Sequence, residues 1–271
     1  MTLQDAAHRP LVPKFAPADD YTPFCEAVRR LCGVDLLQYK RGQMERRIRT
    51  WTARRGIEDL GAYARKLQAD PEELDAFLDR VTINVSQLWR HPEHWAALEG
   101  TILPELAAAG PRIRAWSAGC SYGAEAYTLA AVCRMAVPQA RVEIKGTDLD
   151  RRMVARAREG KFSTEDGRGA PPAALRQFFP GGQAAPELRR MVSFEVGDLL
   201  RMPVQKGAFD LVLCRNTVIY FTEEVRDALH ARLVESLRTG GYLIVGTSER
   251  VADPRGLGLS SPFHFIYRKD R

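Results

Sequence analysis

Two glycines, Gly119 and Gly123, punctuate the run Trp116-Ser117-Ala118-Gly119-Cys120-Ser121-Tyr122-Gly123-Ala124-Glu125. A short apolar stretch, Ile113 to Trp116, leads into it, and a helical pattern follows at once. Glycine lets a turn bend tightly and lets backbone approach a ligand closely. A strand, a glycine-rich turn and a helix start together form a corner suited to a nucleotide-type ligand. Asp148 ends the next apolar run, Val142 to Thr147, where an acidic side chain can grip a ribose hydroxyl. The pair points to a bound nucleoside. The spacing is G-x-x-x-G, not the dinucleotide G-x-G-x-x-G, and no G-x-x-x-x-G-K-[ST] phosphate loop is present. On the loop alone, an ordinary strand-to-helix turn is an equally good reading.

The elements that must position these residues alternate along the second half of the chain. Strands are expected at Ile113–Trp116, Val142–Thr147, Val192–Val196, Phe209–Cys214 and Tyr242–Thr247, with helical runs between most of them. Such alternation predicts an α/β fold with a doubly wound, mainly parallel sheet. A last strand, Phe263–Tyr267, follows Leu257–Ser260 after a short turn, so these two are expected to pair antiparallel. Gly119, Asp148, Asp198 and Asn216 then all fall just past strand ends, where ligands of open α/β sheets bind. Taken singly, Asp198 and Asn216 are ordinary turn formers. A Gly/Pro-rich stretch at 161–190 reads as a small insertion beside the ligand side.

Ahead of the sheet, residues 21–85 read as a small all-α domain. Phe24, Val28 and Leu31 keep helical spacing, as do Met44, Ile48 and Trp51. Asp70-Pro71 starts a further helix with Leu74, Phe77, Leu78 and Val81 on its apolar face. Residues 1–20 read as a flexible tail, and 86–112 as a linker holding one short helix.

The chain has 271 residues, 45% of them hydrophobic, and carries a net charge of +6. That size supports one large or two small domains. No apolar run approaches the ~20 residues of a membrane-spanning helix, and no membrane insertion is expected. No apolar segment opens the chain, so a cytoplasmic protein is expected. The five cysteines are scattered and form no C-x-x-C pair, which predicts reduced, mostly buried thiols and no metal site. Lys40, Arg41, Arg46, Arg47, Arg49, Arg54 and Arg55 crowd one helix against a single acid, Glu45. Such a patch suits nucleic acid or an acidic protein surface, or is simply a solvated face.

Four segments carry a resemblance that spans Tyr21 to Lys269: Phe77 through Arg90, the Trp116–Glu125 loop, Cys214-Arg215-Asn216-Thr217-Val218-Ile219-Tyr220-Phe221, and Gly246-Thr247-Ser248-Glu249. The chain resembles the CheR family of chemoreceptor glutamate O-methyltransferases. The resemblance implies a Rossmann-like class I methyltransferase domain with an antiparallel last strand, a helical N-terminal domain, and S-adenosylmethionine as cofactor with S-adenosylhomocysteine as product. It implies that Asn84, Ser86, Arg90, Gly119, Glu125, Asp148, Asp198, Leu199, Asn216 and Thr217 line the cofactor pocket. Glu125 would meet the methionyl amino group and Asp148 the ribose. Arg90 and Tyr220 would sit nearest the transferred methyl. Arg46, Arg47 and Arg49 would dock on the acidic methylation helices of cytoplasmic receptor regions, recruiting a monomeric enzyme to membrane receptor arrays. The family places a small β-subdomain at the insertion, which in some relatives holds a receptor C-terminal pentapeptide. The featureless Gly182-Gln183-Ala184-Ala185 here points to a pentapeptide-independent enzyme. Leu88-Trp89, Ala124, Ala126, Ser121-Tyr122 and Thr217 depart from the usual pattern.

The implied chemistry suits the residues. A glutamate acceptor, with ordinary pKa ~4.3, is already a carboxylate nucleophile at pH 7 and needs no general base. Holding donor and acceptor in line is the main task, worth ~7–11 kcal/mol in favourable cases. Arg90 can orient either the methionyl carboxylate or the acceptor. A nucleic-acid methyltransferase is disfavoured by the absence of an Asn/Asp-Pro-Pro-aromatic motif after the fourth strand. A non-catalytic cofactor-binding adaptor is the other alternative.

Overall fold

The computed structural model describes residues 19–81 and 86–271. The expected tail lies outside the described residues except for Asp19 and Asp20, which pair with Arg41 and Arg49 at 2.8 and 2.6 Å. Residues 82–85, including Asn84, also lie outside them.

Four helices form the first unit: α1 (Tyr21–Cys32), α2 (Arg41–Ala53), α3 (Leu60–Ala69) and α4 (Pro71–Val81). Their ends follow from local chemistry. Gly33 takes a left-handed turn (φ 81°) and its N–H returns to the Arg29 carbonyl, closing α1. The Asp59 carboxylate accepts the Gly61 and Ala62 N–H groups at the start of α3. Asp70 accepts the Glu73 N–H ahead of α4 at 3.1 Å. Met44 and Ile48 are buried on the inner face of α2, and Phe24, Tyr63 and Phe77 bring their rings within 5.7–6.1 Å of one another. Truncating such a buried ring to alanine costs ~3–5 kcal/mol.

The second unit is one seven-stranded sheet of β1 (Arg112–Ala118), β2 (Arg141–Asp148), β3 (Val192–Val196), β4 (Phe209–Cys214), β5 (Leu237–Val245), β6 (Leu259–Phe263) and β7 (Ile266–Lys269), in the order β3-β2-β1-β4-β5-β7-β6. β1 to β5 run parallel, and β7 pairs antiparallel with β5 and β6. The expected α/β fold is present. β4 is buried along its whole length, as a central parallel strand must be. Its one acid, Asp210, is satisfied by the Arg114 N–H at 2.6 Å and by the Arg238 guanidinium. The strand order turns back between β1 and β4, which makes their carboxyl ends the switch point of the sheet.

Four expectations need correction. The 86–112 stretch is no linker: α5 (Pro92–Ala97) runs through a π turn (Leu98–Ile102) into α6 (Leu103–Ala109). Trp95, Leu98, Ile102, Leu103 and Leu106 are buried in the core against the sheet. The 161–190 insertion holds α9 (Pro172–Phe178) and α10 (Pro186–Met191), with one isolated Lys161–Gln183 bridge and no β-subdomain. Phe178, Phe179 and Leu188 bury it against the same core. β5 starts at Leu237 and ends at Val245, because pairing with β4 already begins at Phe209–Leu237. The final turn falls at His264-Phe265, with Phe265 left-handed (φ 63°), so Phe263 belongs to β6. Between these elements lie α7 (Ala124–Ala136), α8 (Arg151–Glu159) and α11 (Glu223–Ser236).

Candidate active site

A cleft opens at the switch point. It encloses about 1080 Å³ counting the space at its mouth, room enough for a nucleoside-sized ligand. Its lining contains Ser86, Arg90, Gly119, Glu125, Asp148, Asp198, Leu199, Asn216, Thr217 and Tyr220. Every expected pocket residue among the described ones is therefore brought to one place. Asn84 lies outside the described residues.

The loop after β1 shows why glycine stands there. Gly119 is left-handed (φ 82°), and a Cβ on it would meet Thr217 Oγ1 at 2.5 Å. Gly123, also left-handed (φ 87°), starts α7. The Gly119 and Cys120 N–H groups donate to the Thr147 carbonyl at 2.8 and 3.0 Å, tying the loop to the end of β2. There the Asp148 carboxylate accepts N–H groups from Ser121 at 2.7 Å and Asp150 at 3.0 Å. Burial pushes the Asp148 carboxyl up from its ordinary value, against these N–H donors.

Glu125 opens α7 beneath the loop. It accepts from Ser117 Oγ at 2.7 Å and pairs with Arg215 at 3.3 Å. Burial raises the Glu125 carboxyl and lowers the Arg215 guanidinium, each opposed by the other's charge. Arg215 Nη2 also donates to the Arg90 carbonyl at 2.6 Å. One guanidinium thus fastens the end of β4, the start of α7 and the segment before α5. Its buried Nε has no partner among the described residues.

Arg90 is set by strained backbone. Trp89 and His91 on either side are both left-handed (φ 54° and 60°), a conformation bulky residues adopt at a cost of ~1–3 kcal/mol each. The Trp89 N–H donates to Thr128 Oγ1 at 3.2 Å, and Trp95 Nε1 donates to the Arg90 carbonyl at 2.9 Å.

Asn216 is left-handed as well (φ 59°). Its loop is held by Glu249, a 3%-exposed carboxylate that accepts N–H groups from Asn216 at 2.8 Å, Val218 at 2.9 Å and Gly246 at 2.6 Å. Burial raises the Glu249 carboxyl while these N–H donors oppose the shift. Tyr220 ends the 3₁₀ turn Val218–Tyr220 that follows. Asp198 both lines the cleft and accepts the Leu200 N–H at 2.9 Å, so its turn-forming and lining roles coincide.

The three arginines singled out on α2 are not equivalent. Arg46 is exposed. Arg49 is committed to Asp20 and Glu45 at 2.6 and 2.8 Å. Arg47 lies with its guanidinium 5.7 Å from the Tyr220 ring centre and donates to the Val81 carbonyl at 3.3 Å.

Arg215, Glu249 and Tyr39 complete the site without having been assigned to it from sequence. The first two stand inside the Arg-Asn and Gly-Thr-Ser-Glu segments, so a signal was there to follow; Tyr39 had none.

The residues fit S-adenosylmethionine. Two partly buried carboxylates, Glu125 and Asp148, line the cleft and would suit a cationic ligand with an amino group and a ribose diol, and Arg215 Nε, without a partner among the described residues, is a spare donor. Two family descriptions match the chain: CheR methyltransferase, all-alpha domain, over residues 19–82, and CheR methyltransferase, SAM binding domain, over residues 84–259. A chemotaxis protein methyltransferase of Listeria monocytogenes serovar 1/2a is 35% identical over 255 residues, covering 92% of this chain and 97% of that protein. Chemotaxis protein methyltransferase 1 of Pseudomonas aeruginosa is 33% identical, covering 85% and 89%. A solved magnesium protoporphyrin IX methyltransferase from Synechocystis, with bound SAH, is 20% identical with a TM-score of 0.34, covering 56% of this chain and 54% of that one.

Proposed function

The chain belongs to the CheR methyltransferase family, and from that premise we propose that it esterifies glutamate side chains on the cytoplasmic methylation helices of chemoreceptors. It is an S-adenosylmethionine-dependent methyltransferase of chemotaxis; the acceptor is the new part of the reading. The observation that carries it is the position of Tyr220. This side chain lines the main cleft and also a small second hollow formed by Tyr39, Lys40, Gln43, Met44 and Arg47. The point of transfer therefore opens onto the basic helix α2, and an acidic helix laid along α2 would bring a carboxylate to it.

S-adenosylmethionine supplies an electrophilic methyl on a sulfonium centre. In our reading Asp148 holds the ribose diol, Glu125 the amino group and Arg215 Nε or Arg90 the carboxylate of its methionyl arm. Ser86, Gly119, Asp198, Leu199, Asn216 and Thr217 close the remaining walls, and Asn84 belongs to the same set by its place in the motif. Arg90 and Tyr220 orient the acceptor carboxylate, which attacks as the free anion. Arg46 and Arg47 attract the partner, while Arg49 mainly shapes α2 through Asp20 and Glu45. The helical insertion, with no β-subdomain, supports independence from a receptor pentapeptide. No helix among the described residues is long and apolar enough to cross a membrane, and recruitment to receptor arrays would come through α2.

The test is transfer of radiolabelled methyl to receptor-containing membranes, followed by mild base. Base-labile label on receptor is expected. Cofactor binding without any receptor label would instead support an adaptor.

A further inference from the structure

Tyr39 belongs to the helical unit, between the 3₁₀ turn Leu36–Gln38 and α2, yet its side chain lines the cleft together with Asp148, Leu149, Asp198 and Leu199. It is held there from two directions. The Lys40 N–H donates to the Tyr220 carbonyl at 2.8 Å and the Thr222 N–H donates to the Gln38 carbonyl at 3.0 Å. These two bonds make an antiparallel bridge between Tyr39 and Phe221 across the two units. Lys40 Nζ adds a bond to the Ile219 carbonyl at 3.1 Å. The Tyr39 ring lies 4.9 Å from that of Phe221, tilted by 60°. It packs against the core of the helical unit and against the core on one face of the sheet.

A tyrosine used only for packing has no need of acidic neighbours. Here burial raises the phenol above its ordinary value, and the charges of Asp148, Asp198 and, more weakly, Asp35 add to the shift. The hydroxyl therefore keeps its proton across the physiological range and is a donor. The Asp148 and Asp198 side chains offer oxygen acceptors to the cleft, and a phenol among them adds a donor. A nucleoside offers both kinds of partner: ribose hydroxyls that donate to carboxylates, and ring nitrogens and ribose oxygens that accept from a phenol.

We propose that Tyr39 is a cofactor-binding residue supplied by the helical unit, its ring closing the cleft wall beside Asp148 and Asp198 and its hydroxyl donating to the nucleoside half of S-adenosylmethionine. The helical unit then does two jobs: α2 meets the acceptor, and the residue just before α2 completes the donor pocket. The fixed bridge to Phe221 keeps both in register with Tyr220.

This inference rests on the cofactor assignment and not on the identity of the acceptor. It is tested by titration calorimetry with S-adenosylhomocysteine on the wild-type chain, Tyr39→Phe and Tyr39→Ala, with thermal melts alongside. Loss of a single neutral hydrogen bond predicts that Tyr39→Phe binds about 3- to 10-fold more weakly with an unchanged melting temperature. Tyr39→Ala, which also opens the wall, is expected to bind at least about 30-fold more weakly. Tyr39→Phe binding within twofold of wild type would overturn the proposal, and it decides the matter alone should Tyr39→Ala fail to fold. Wild-type protein that binds S-adenosylhomocysteine but never labels receptor would sink the acceptor reading and leave Tyr39 in the pocket.

Discussion

Glu125 and Arg215 meet at 3.3 Å with side chains 12% and 3% exposed, whereas Arg41 and Arg49 on α2 meet Asp19, Asp20 and Glu45 at 2.6–2.9 Å with 55% and 42% of their side chains exposed. The contacts are chemically alike and differ in surroundings. At the cleft pair little side-chain surface is exposed and each charge depends on its partner, so removing one leaves the other stranded at a cost of ~3–5 kcal/mol. On α2, water and salt share the work and a pair is worth ~0–1 kcal/mol. A fixed geometry suits a small ligand that must be held in line. A loosely paired cationic face suits a macromolecule that must arrive and leave quickly.

The largest expected effect is at the centre of the cleft. Arg215→Ala should lower stability by ~3–5 kcal/mol in urea unfolding, because Glu125 loses its countercharge and is left with the Ser117 hydroxyl, while the Arg90 carbonyl is left with Trp95 Nε1. A loss under about 1 kcal/mol would put this pair in the same class as those on α2. Next comes Asp148→Asn, which should weaken S-adenosylhomocysteine binding about 30- to 100-fold by calorimetry, ~2–3 kcal/mol for a charge-assisted bond to a ribose. Its effect on the ligand-free protein depends on pH. Burial raises the Asp148 carboxyl, so ionising it costs more in the folded chain than in the unfolded one. That penalty is absent below the ordinary carboxylate pKa, ~3.9, and complete above the raised folded value. The variant loses an acceptor for one of the two N–H groups at every pH, but its melting temperature relative to wild type should be more favourable at pH 7 than at pH 3. Equal shifts at both values would mean that Asp148 is not strained by its charge.

Glu249→Gln should cost ~1–2 kcal/mol of stability. Its mark is a raised Michaelis constant for cofactor, since a neutral amide cannot accept from all three N–H groups that hold the Asn216 loop. An unchanged constant would reduce Glu249 to a packing residue. The smallest effect in energy is expected on α2: replacing Arg46 and Arg47 by glutamate should raise the Michaelis constant for receptor about 5- to 10-fold at low salt, ~1 kcal/mol, and the difference should fade at 0.5 M salt. Cofactor affinity should stay as it was; a fall in it would merge the two regions that the comparison separates.

What could be read from sequence divides along similar lines. Gly119, Asp148, Asp198 and Asn216 were legible because strand ends follow from local apolar runs, and the ends of parallel strands meet by topology. Arg215 was visible in a motif, but its task depends on the Arg90 carbonyl, 125 positions away. A short helix through Trp95 and Leu98 was legible, but its continuation to Ala109 was hidden by Gly100 and by Pro104, which lacks the N–H an α-helix would use there; the π turn over Leu98–Ile102 accommodates the break. The helical insertion was misread because its proline-started helices are only six and seven residues long. Tyr39 stood in no pattern, since its neighbours in space come from both units.

The bridge between Tyr39 and Phe221 also bears on the order in which the molecule is made. Lys40 and Ile219 are 179 positions apart, so this contact closes one of the widest loops in the chain. Its closure entropy is repaid only after the helices and the sheet have formed. During refolding, far-ultraviolet ellipticity should recover ahead of the ability to bind S-adenosylhomocysteine, and simultaneous recovery would show that the two units nucleate together. Ligand binding would then report completion of the whole chain, and a nascent chain that had made only its first two hundred residues would hold most of the cleft's charged groups and still lack the strand end that shuts it.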